Sequence, residues 1–287
     1  MEKKIGSETP NLTEFDDLVK IFSYDKDLPL DIKENKLKQE DNISIFDISY
    51  NGTKERINAY LVKSSKEKPS AGIIFVHPAP GDRSTFLNEA LKLAQKDVTS
   101  LLIDAPWANP PEFAKIALNG IENPDEYRQF LIQTAVDLRR ALDLMNSLDY
   151  VDNNRIGFVG HSFGALFGGI LSGVEERIKT YILMAGAGSF TDVALLNIPD
   201  LKGEKLDHFR ETMYPIDPVH YVSHAAPSSL FYQFGTQDTS FSREAVIDFY
   251  EAGSKPKYVQ WYEADHYLNE KARLDREKWL SDKLELK

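Results

Sequence analysis

A serine between glycines is the first feature of the sequence that could do chemistry. Ser162 is the central residue of the segment Gly160-His161-Ser162-Phe163-Gly164. The residues before it are typical of a short buried strand, RIGFVG, and a glycine-rich apolar segment typical of a helix follows. A tight turn from strand to helix strains the serine and exposes its hydroxyl, and glycines two positions away avoid clashes. We therefore interpret Ser162 as a nucleophile; the alternative is a serine that only caps the helix.

A serine nucleophile needs a base to take its proton and an acid to orient that base. Asp238 follows the strand-like segment SSLFYQFG, and His266 follows the next one, KYVQWYEA. The chain order serine, aspartate, histidine, with each residue after a different strand, is the order that accompanies this kind of serine turn. The sequence thus predicts a triad of Ser162, Asp238 and His266. Taken singly, Asp238 could be a turn residue and His266 a surface histidine.

Other histidines are rival candidates for the base. His77 ends a predicted strand at the same edge of the sheet but precedes the serine, and His161 lies inside the turn, which we expect it to shape. The rest follow the strand-like segment IKTYILMAG in an irregular region, where we expect rim or packing roles: His208, His220 and His224.

Other aspartates are rival candidates for the acid. Asp192 follows a predicted strand and is the reserve candidate. Asp265 is adjacent to His266 in the chain, so its carboxylate would struggle to face the imidazole ring. Asp104 ends a predicted strand, and we expect it to be structural.

Composition limits the classes of function. The chain has 287 residues, of which 42% are hydrophobic and 28% charged, as in a globular protein. Its net charge of −11 opposes binding to nucleic acid or to anionic membranes. The absence of cysteine excludes disulfides, thiolate nucleophiles and cysteine-ligated zinc.

One uncharged stretch, residues 156–174, is about as long as a membrane-spanning helix. Glycines interrupt it, its first part is typical of a core strand, and no second span accompanies it. We therefore predict no membrane span. The N-terminus has two lysines without an apolar run behind them, so we predict no signal peptide and expect a cytoplasmic protein.

The elements that must position the triad alternate along the chain. Residues 43–64 predict an antiparallel hairpin around Asn51-Gly52. Apolar strands and amphipathic helices then alternate, with Asn123 and Pro124 marking the start of the longest helix. This pattern predicts an α/β fold with a mostly parallel, doubly wound sheet and antiparallel N-terminal strands.

The first 42 residues are predicted to lie outside the catalytic domain, which we assign to residues 43–287. Apolar residues at helical spacing predict a short helix from Phe15 to Phe22, capped by Thr13. Residues 23–42 show no periodicity and predict a polar connector. The helix and the connector could pack on their own subunit or on a partner, because the sequence does not fix the oligomeric state.

From the hairpin to about residue 280 the sequence resembles the α/β-hydrolase superfamily, in particular its dienelactone-hydrolase-like and prolyl-oligopeptidase-like branches. The resemblance implies an oxyanion hole made by the N–H group of Phe163 and by one from the loop His77-Pro78-Ala79-Pro80-Gly81. Because proline has no N–H, we assign the second donor to Ala79. This loop lacks the family's usual His-Gly start, which argues against the lipases that have a glycine-run oxyanion loop.

The resemblance implies a serine esterase that cleaves a small or medium acyl ester through an acyl-enzyme, without metal or cofactor. Two long segments, 107–124 and 189–215, predict either a small cap with an apolar pocket or surface helices. We expect Trp107 and Phe163 nearest the substrate. A peptidase, amidase or lactonase of the same fold and a non-catalytic binding protein stay open, whereas the absence of propeller repeats disfavours an oligopeptidase.

Overall fold

The computed structural model describes residues 14–65 and 69–286. In this part of the chain one sheet contains all the long strands, in the spatial order β1-β2-β3-β5-β4-β6-β7-β8-β9. The strands are β1 (Lys33–Glu40), β2 (Ile43–Asn51), β3 (Arg56–Ser64), β4 (Ser70–Val76), β5 (Val98–Ile103), β6 (Val151–His161), β7 (Thr180–Met184), β8 (Ser229–Gly235) and β9 (Lys257–Tyr262).

The sheet is antiparallel at its N-terminal side and parallel elsewhere. β2 and β3 form the predicted hairpin, and β3 pairs antiparallel with β5. All pairings from β5 to β9 are parallel. The predicted fold class is therefore confirmed. The carboxyl ends of β4, β6, β8 and β9 consequently lie at one edge of the sheet, which is the usual place for a site in such a fold.

Helices cover both faces of the sheet. The helices are α1 (Phe15–Lys20), α2 (Leu87–Ala94), α3 (Pro110–Glu122), α4 (Pro124–Ser147), α5 (Phe163–Val174), α6 (Phe190–Asn197), α7 (Glu204–Met213), α8 (Pro218–Val222), α9 (Arg243–Ala252) and α10 (Glu270–Leu284). In β4, Ile73 and Phe75 pack with α2 and α10, whereas Ile74 and Val76 pack with α4 and α5 on the other face. A strand buried on both faces explains why its sequence is continuously apolar.

β1 lies inside residues 23–42, which the sequence analysis assigned to an irregular connector, and that prediction was wrong. All residues of β1 are exposed, so no alternation of apolar side chains marks the strand. It forms through backbone pairing with β2, from Lys33 opposite Ser49 to Glu40 opposite Ile43. The lysines of such an edge strand also discourage pairing with another sheet.

Helix α1 packs on its own subunit. Leu18 and Phe22 are buried in the main core, and the Phe22 ring lies edge-on to Tyr221 with centroids 5.4 Å apart. The Arg139 guanidinium also donates a 2.9 Å hydrogen bond to the Phe22 carbonyl. The predicted cap of this helix, Thr13, lies outside the described residues.

The two predicted insertions are helical and contact each other. The segment 107–124 contains α3, and 189–215 contains α6 and α7; α7 contacts both of the others. We call α3, α6 and α7 the cap. Helix α4 begins at the predicted Pro124, but the Asn123 amide donates to Asn119 in α3 instead of capping α4. Within the described residues, no helix has the length and apolar character to cross a membrane.

Candidate active site

Ser162 occupies the sharp turn between β6 and α5. Its backbone has φ 54° and ψ −116°, a conformation that costs energy in any residue with a side chain. The glycines around it are needed for close packing: a Cβ on Gly160 would collide with the Gly164 carbonyl, and one on Gly164 with the Val76 carbonyl. The Ser162 N–H donates a 2.7 Å bond to the Met184 carbonyl of β7, which ties the turn to the sheet.

The structure brings the three residues of the predicted triad together. His266 Nε2 lies 2.8 Å from Ser162 Oγ, and His266 Nδ1 lies 2.8 Å from Asp238 Oδ2. Asp238 Oδ1 accepts a second bond of 2.8 Å from the Ser240 N–H. Burial would raise the pKa of the Asp238 carboxyl, but the hydrogen bonds from His266 and Ser240 outweigh it and hold this pKa below its usual value.

These hydrogen bonds assign the proton on the His266 ring. The ionised Asp238 carboxylate only accepts, so Nδ1 of His266 carries the hydrogen. Nε2 of His266 is then left as an acceptor for the Ser162 hydroxyl hydrogen. In this tautomer the imidazole can remove the serine proton as the hydroxyl attacks.

His161 contacts the main chain of His266, a role that the sequence analysis did not predict beyond shaping the turn. Its Nε2–H donates a 2.8 Å bond to the His266 carbonyl, and the two rings lie 5.2 Å apart. Burial, together with the neighbouring His266, lowers the pKa of His161 to about 3. The His161 ring is therefore neutral, and it holds the loop that carries His266 against the serine turn.

The loop after β4 lies beside Ser162. The His77 ring donates from Nδ1 to the Pro78 carbonyl at 2.8 Å and accepts at Nε2 from the Ala105 N–H at 3.1 Å. The Trp107 indole N–H lies 3.1 Å from the His77 carbonyl and 3.0 Å from that of Pro78. These bonds of the His77 ring and of the Trp107 indole fix the loop that carries Ala79. Because both ring nitrogens of His77 are engaged, His77 is a structural residue and not a base.

The two predicted oxyanion donors line the same cavity as Ser162. Across the described residues, neither the Ala79 N–H nor the Phe163 N–H has a hydrogen-bond acceptor. Phe163 is the first residue of α5, where backbone N–H groups carry partial positive charge. The pair is available to an oxyanion that develops on a carbonyl bound at Ser162.

The rival histidines take no part in the hydrogen-bonded triad. The side chain of His208 in α7 is exposed. His220 packs against the Tyr214 ring at 4.4 Å, and burial lowers its pKa. His224 stacks on Phe15 at 3.5 Å. These contacts confirm the expected packing role for His220 and His224.

The rival aspartates also have other surroundings. Asp265 accepts a 2.9 Å bond from the Tyr267 N–H. Asp104 accepts from the Arg83 N–H at 2.9 Å and pairs with its guanidinium at 3.1 Å, which is the expected structural role. Asp192, the reserve candidate, lies in α6, where burial raises its pKa.

A cavity of about 480 Å³ opens between Ser162 and the cap. Trp107 and Phe163, the side chains expected nearest a substrate, both line it, and their rings lie 4.7 Å apart. Its other lining residues are mainly apolar: Pro80, Pro110, Phe113, Ala114, Ala117, Leu118, Ile121, Tyr127, Val193, Ala194, Leu196, Asn197, Ile198, Phe209 and Phe241. Of the two alternatives for the insertions, the structure therefore favours a cap that covers an apolar pocket and disfavours helices that only pack on the surface.

Solved structures that are similar to this chain include hydrolases. An acetyl xylan esterase from Paenibacillus sp. is similar at a TM-score of 0.78 and 19% identity, covering 96% of this chain and 96% of that chain. An acetyl xylan esterase from Thermoanaerobacterium sp. matches at a TM-score of 0.79 and 13% identity, covering 93% of each chain. A putative dienelactone hydrolase from Klebsiella pneumoniae matches at 0.60 and 15%, covering 88% of this chain and 98% of that one.

Comparison of the sequence with protein-family models and with curated proteins finds no match. The structural likeness nevertheless extends over nearly the whole chain and includes the antiparallel N-terminal strands. The protein has the α/β-hydrolase fold that its sequence predicts.

Proposed function

We propose that the protein is a serine hydrolase that cleaves carboxylic esters through an acyl-enzyme. The observation that carries the proposal is the hydrogen-bonded chain from Asp238 through His266 to Ser162, with both links at 2.8 Å. Ser162, at the end of this hydrogen-bonded series, lines a mainly apolar cavity. Among the described residues that line this cavity, none has a charged side chain. The names of the similar structures, acetyl xylan esterases among them, support ester hydrolysis as the class of reaction.

In the proposed first step, Ser162 Oγ attacks the ester carbonyl carbon while His266 Nε2 takes the hydroxyl proton. The carbonyl oxygen becomes an oxyanion, which the Phe163 and Ala79 N–H groups bind. The bond from carbon to the leaving oxygen then breaks, and His266 gives its proton to that oxygen. Asp238 holds the His266 ring in the required tautomer and stabilises its positive charge.

In the second step water attacks the acyl group on Ser162, and His266 takes a proton from the water. The bond to Ser162 Oγ breaks, the acid is released, and His266 returns the proton to Ser162. The same residues therefore serve both halves of the reaction. No metal or cofactor enters either step.

The test is the hydrolysis of p-nitrophenyl acetate by the wild type and by Ser162→Ala. We expect the substitution to lower kcat by at least about 10⁴-fold, as loss of a serine nucleophile does elsewhere. Ser172→Ala is the matched control, because this serine lies in α5, the helix that follows Ser162, and its hydroxyl donates to the Gly169 carbonyl. We expect Ser172→Ala to stay active, and activity that survives in Ser162→Ala would contradict the proposal.

A further inference from the structure

We propose that the cavity beside Ser162 binds the acyl part of the ester and that its preferred substrates carry a medium-chain aliphatic acyl group, not acetyl. The inference rests on the proposed function. An acetyl group needs no room beyond the serine and the oxyanion donors. The cavity of about 480 Å³ offers far more than that.

The position of His266 assigns the cavity to the acyl group. The leaving oxygen must face His266 Nε2, because this atom supplies its proton. In the proposed mechanism the carbonyl oxygen must face the N–H groups of Ala79 and Phe163, and both of these residues line the cavity. His266 is not among the described residues that line it. An ester bound with both constraints satisfied therefore directs its acyl chain into the cavity and its alcohol away from it.

Small side chains on the cap make the room for this chain. Ala114 and Ala117 of α3 and Ala194 of α6 all line the cavity. The aromatic rings of Phe113 and Phe209 complete the walls. A larger apolar residue at an alanine position would occupy the space that an acyl chain needs.

The rim of the cavity is apolar as well. Leu118 of α3 is 63% exposed and Leu196 of α6 is 45% exposed, and both line the cavity. Exposed apolar side chains that belong to one groove are typical of ligand-binding grooves. We expect the distal end of a long acyl chain to contact these two leucines.

The expected effect is a rise of kcat/KM with acyl length. Burial of one methylene group corresponds to a gain of about fourfold in kcat/KM. We therefore expect p-nitrophenyl hexanoate to exceed the acetate by roughly two orders of magnitude if all four added methylenes are buried.

The experiment measures kcat/KM for p-nitrophenyl acetate, butyrate, hexanoate and octanoate with the wild type, Ala117→Phe and Lys115→Phe. Lys115 lies on the same helix as Ala117, and its side chain is 75% exposed. The substitution Lys115→Phe therefore adds the same aromatic ring outside the cavity. We expect Ala117→Phe to lower the ratio of hexanoate to acetate at least tenfold and Lys115→Phe to leave it unchanged. Ala194→Leu, in α6 and also lining the cavity, gives a second test if Ala117→Phe does not fold.

Three outcomes are informative. The inference is supported if kcat/KM of the wild type rises with acyl length and if Ala117→Phe, or Ala194→Leu in its place, removes this rise while Lys115→Phe keeps it. An acetate preference in the wild type, or equal profiles for Ala117→Phe and Lys115→Phe, overturns it while Ser162-dependent hydrolysis leaves the proposed function standing. Failure to hydrolyse any of the four esters would overturn the proposed function and the inference together.

Discussion

Replacement of Asp238 by asparagine is the most informative change to the candidate triad. The substitution keeps the shape of the side chain and removes its charge. The Ser240 N–H donates 2.8 Å to Oδ1, so it selects the oxygen of the new amide at that position. The amide NH₂ must then replace Oδ2, which lies 2.8 Å from His266 Nδ1.

An NH₂ group at that position reverses the His266 tautomer. Nδ1 becomes the acceptor, so the hydrogen moves to Nε2, which then donates to Ser162 Oγ instead of accepting from it. The serine loses its base, and the imidazolium loses its counter-charge. In a serine protease the equivalent change costs about 10⁴-fold in kcat, and we expect a loss of about 10³- to 10⁴-fold in Asp238→Asn.

The assay is p-nitrophenyl ester hydrolysis at pH 7 to 8, with kcat and KM determined separately. We expect KM to change little, because Asp238 does not line the cavity in the described part of the chain. Asp265→Asn is the matched control, since this neighbour of His266 bonds the Tyr267 N–H and not the ring. The role of Asp238 as the acid of the triad is contradicted if Asp238→Asn keeps more than a tenth of wild-type kcat, or if Asp192→Asn shows the large loss of kcat instead.

Substitutions at His161 and Asp217 test two further residues. His161→Phe leaves the His266 carbonyl without its 2.8 Å donor, so we expect kcat to fall about tenfold with KM nearly constant. His161→Gln keeps a donor, and we expect it to recover most of the lost kcat; equal loss in both variants would argue against a positioning role. Burial raises the pKa of Asp217 to about 7, so the folded protein holds this proton where the unfolded chain, with a pKa near 4, has released it, and stability falls as pH rises between these values. Asp217→Asn removes this dependence. We expect the difference in unfolding free energy between this variant and the wild type to shift in favour of the variant by about 2.6 kcal/mol from pH 5 to pH 8, as measured by denaturant titration. A difference that does not change with pH would contradict the assignment.

The residues with strong local signals could be predicted from the sequence. Ser162 stands between a continuously apolar strand and an apolar helix, and the glycines at 160 and 164 have no room for side chains. Asp238 and His266 each follow a strand of the same parallel sheet, so their meeting with Ser162 follows from the topology. Order along the chain was enough because parallel strands bring their carboxyl ends to one edge.

Contacts that depend on tertiary packing could not be predicted in the same way. β1 carries no apolar alternation, since its residues are all exposed and only backbone pairing with β2 defines it. The bonds of Trp107 to the loop after β4 join positions 29 and 30 residues apart, and the bond from His161 to His266 joins positions 105 apart. Side-chain types at such separations do not reveal their partners.

The cap illustrates a partial prediction. The lengths of the segments 107–124 and 189–215 indicated insertions but left a pocket and surface helices equally open. Whether the insertions enclose a pocket depends on where the faces of α3 and α6 that carry Ala117 and Ala194 lie. The packing of these two helices with α7 sets that orientation. Helical periodicity alone did not indicate which face meets the serine.

The most direct test of Ser162 as the nucleophile is to measure the mass of the protein after reaction with a fluorophosphonate and to locate the adduct by peptide mapping. We expect one adduct, located on Ser162, which forms more slowly in Asp238→Asn and is absent in Ser162→Ala. An unmodified wild-type protein, or an adduct on any residue other than Ser162, would contradict it.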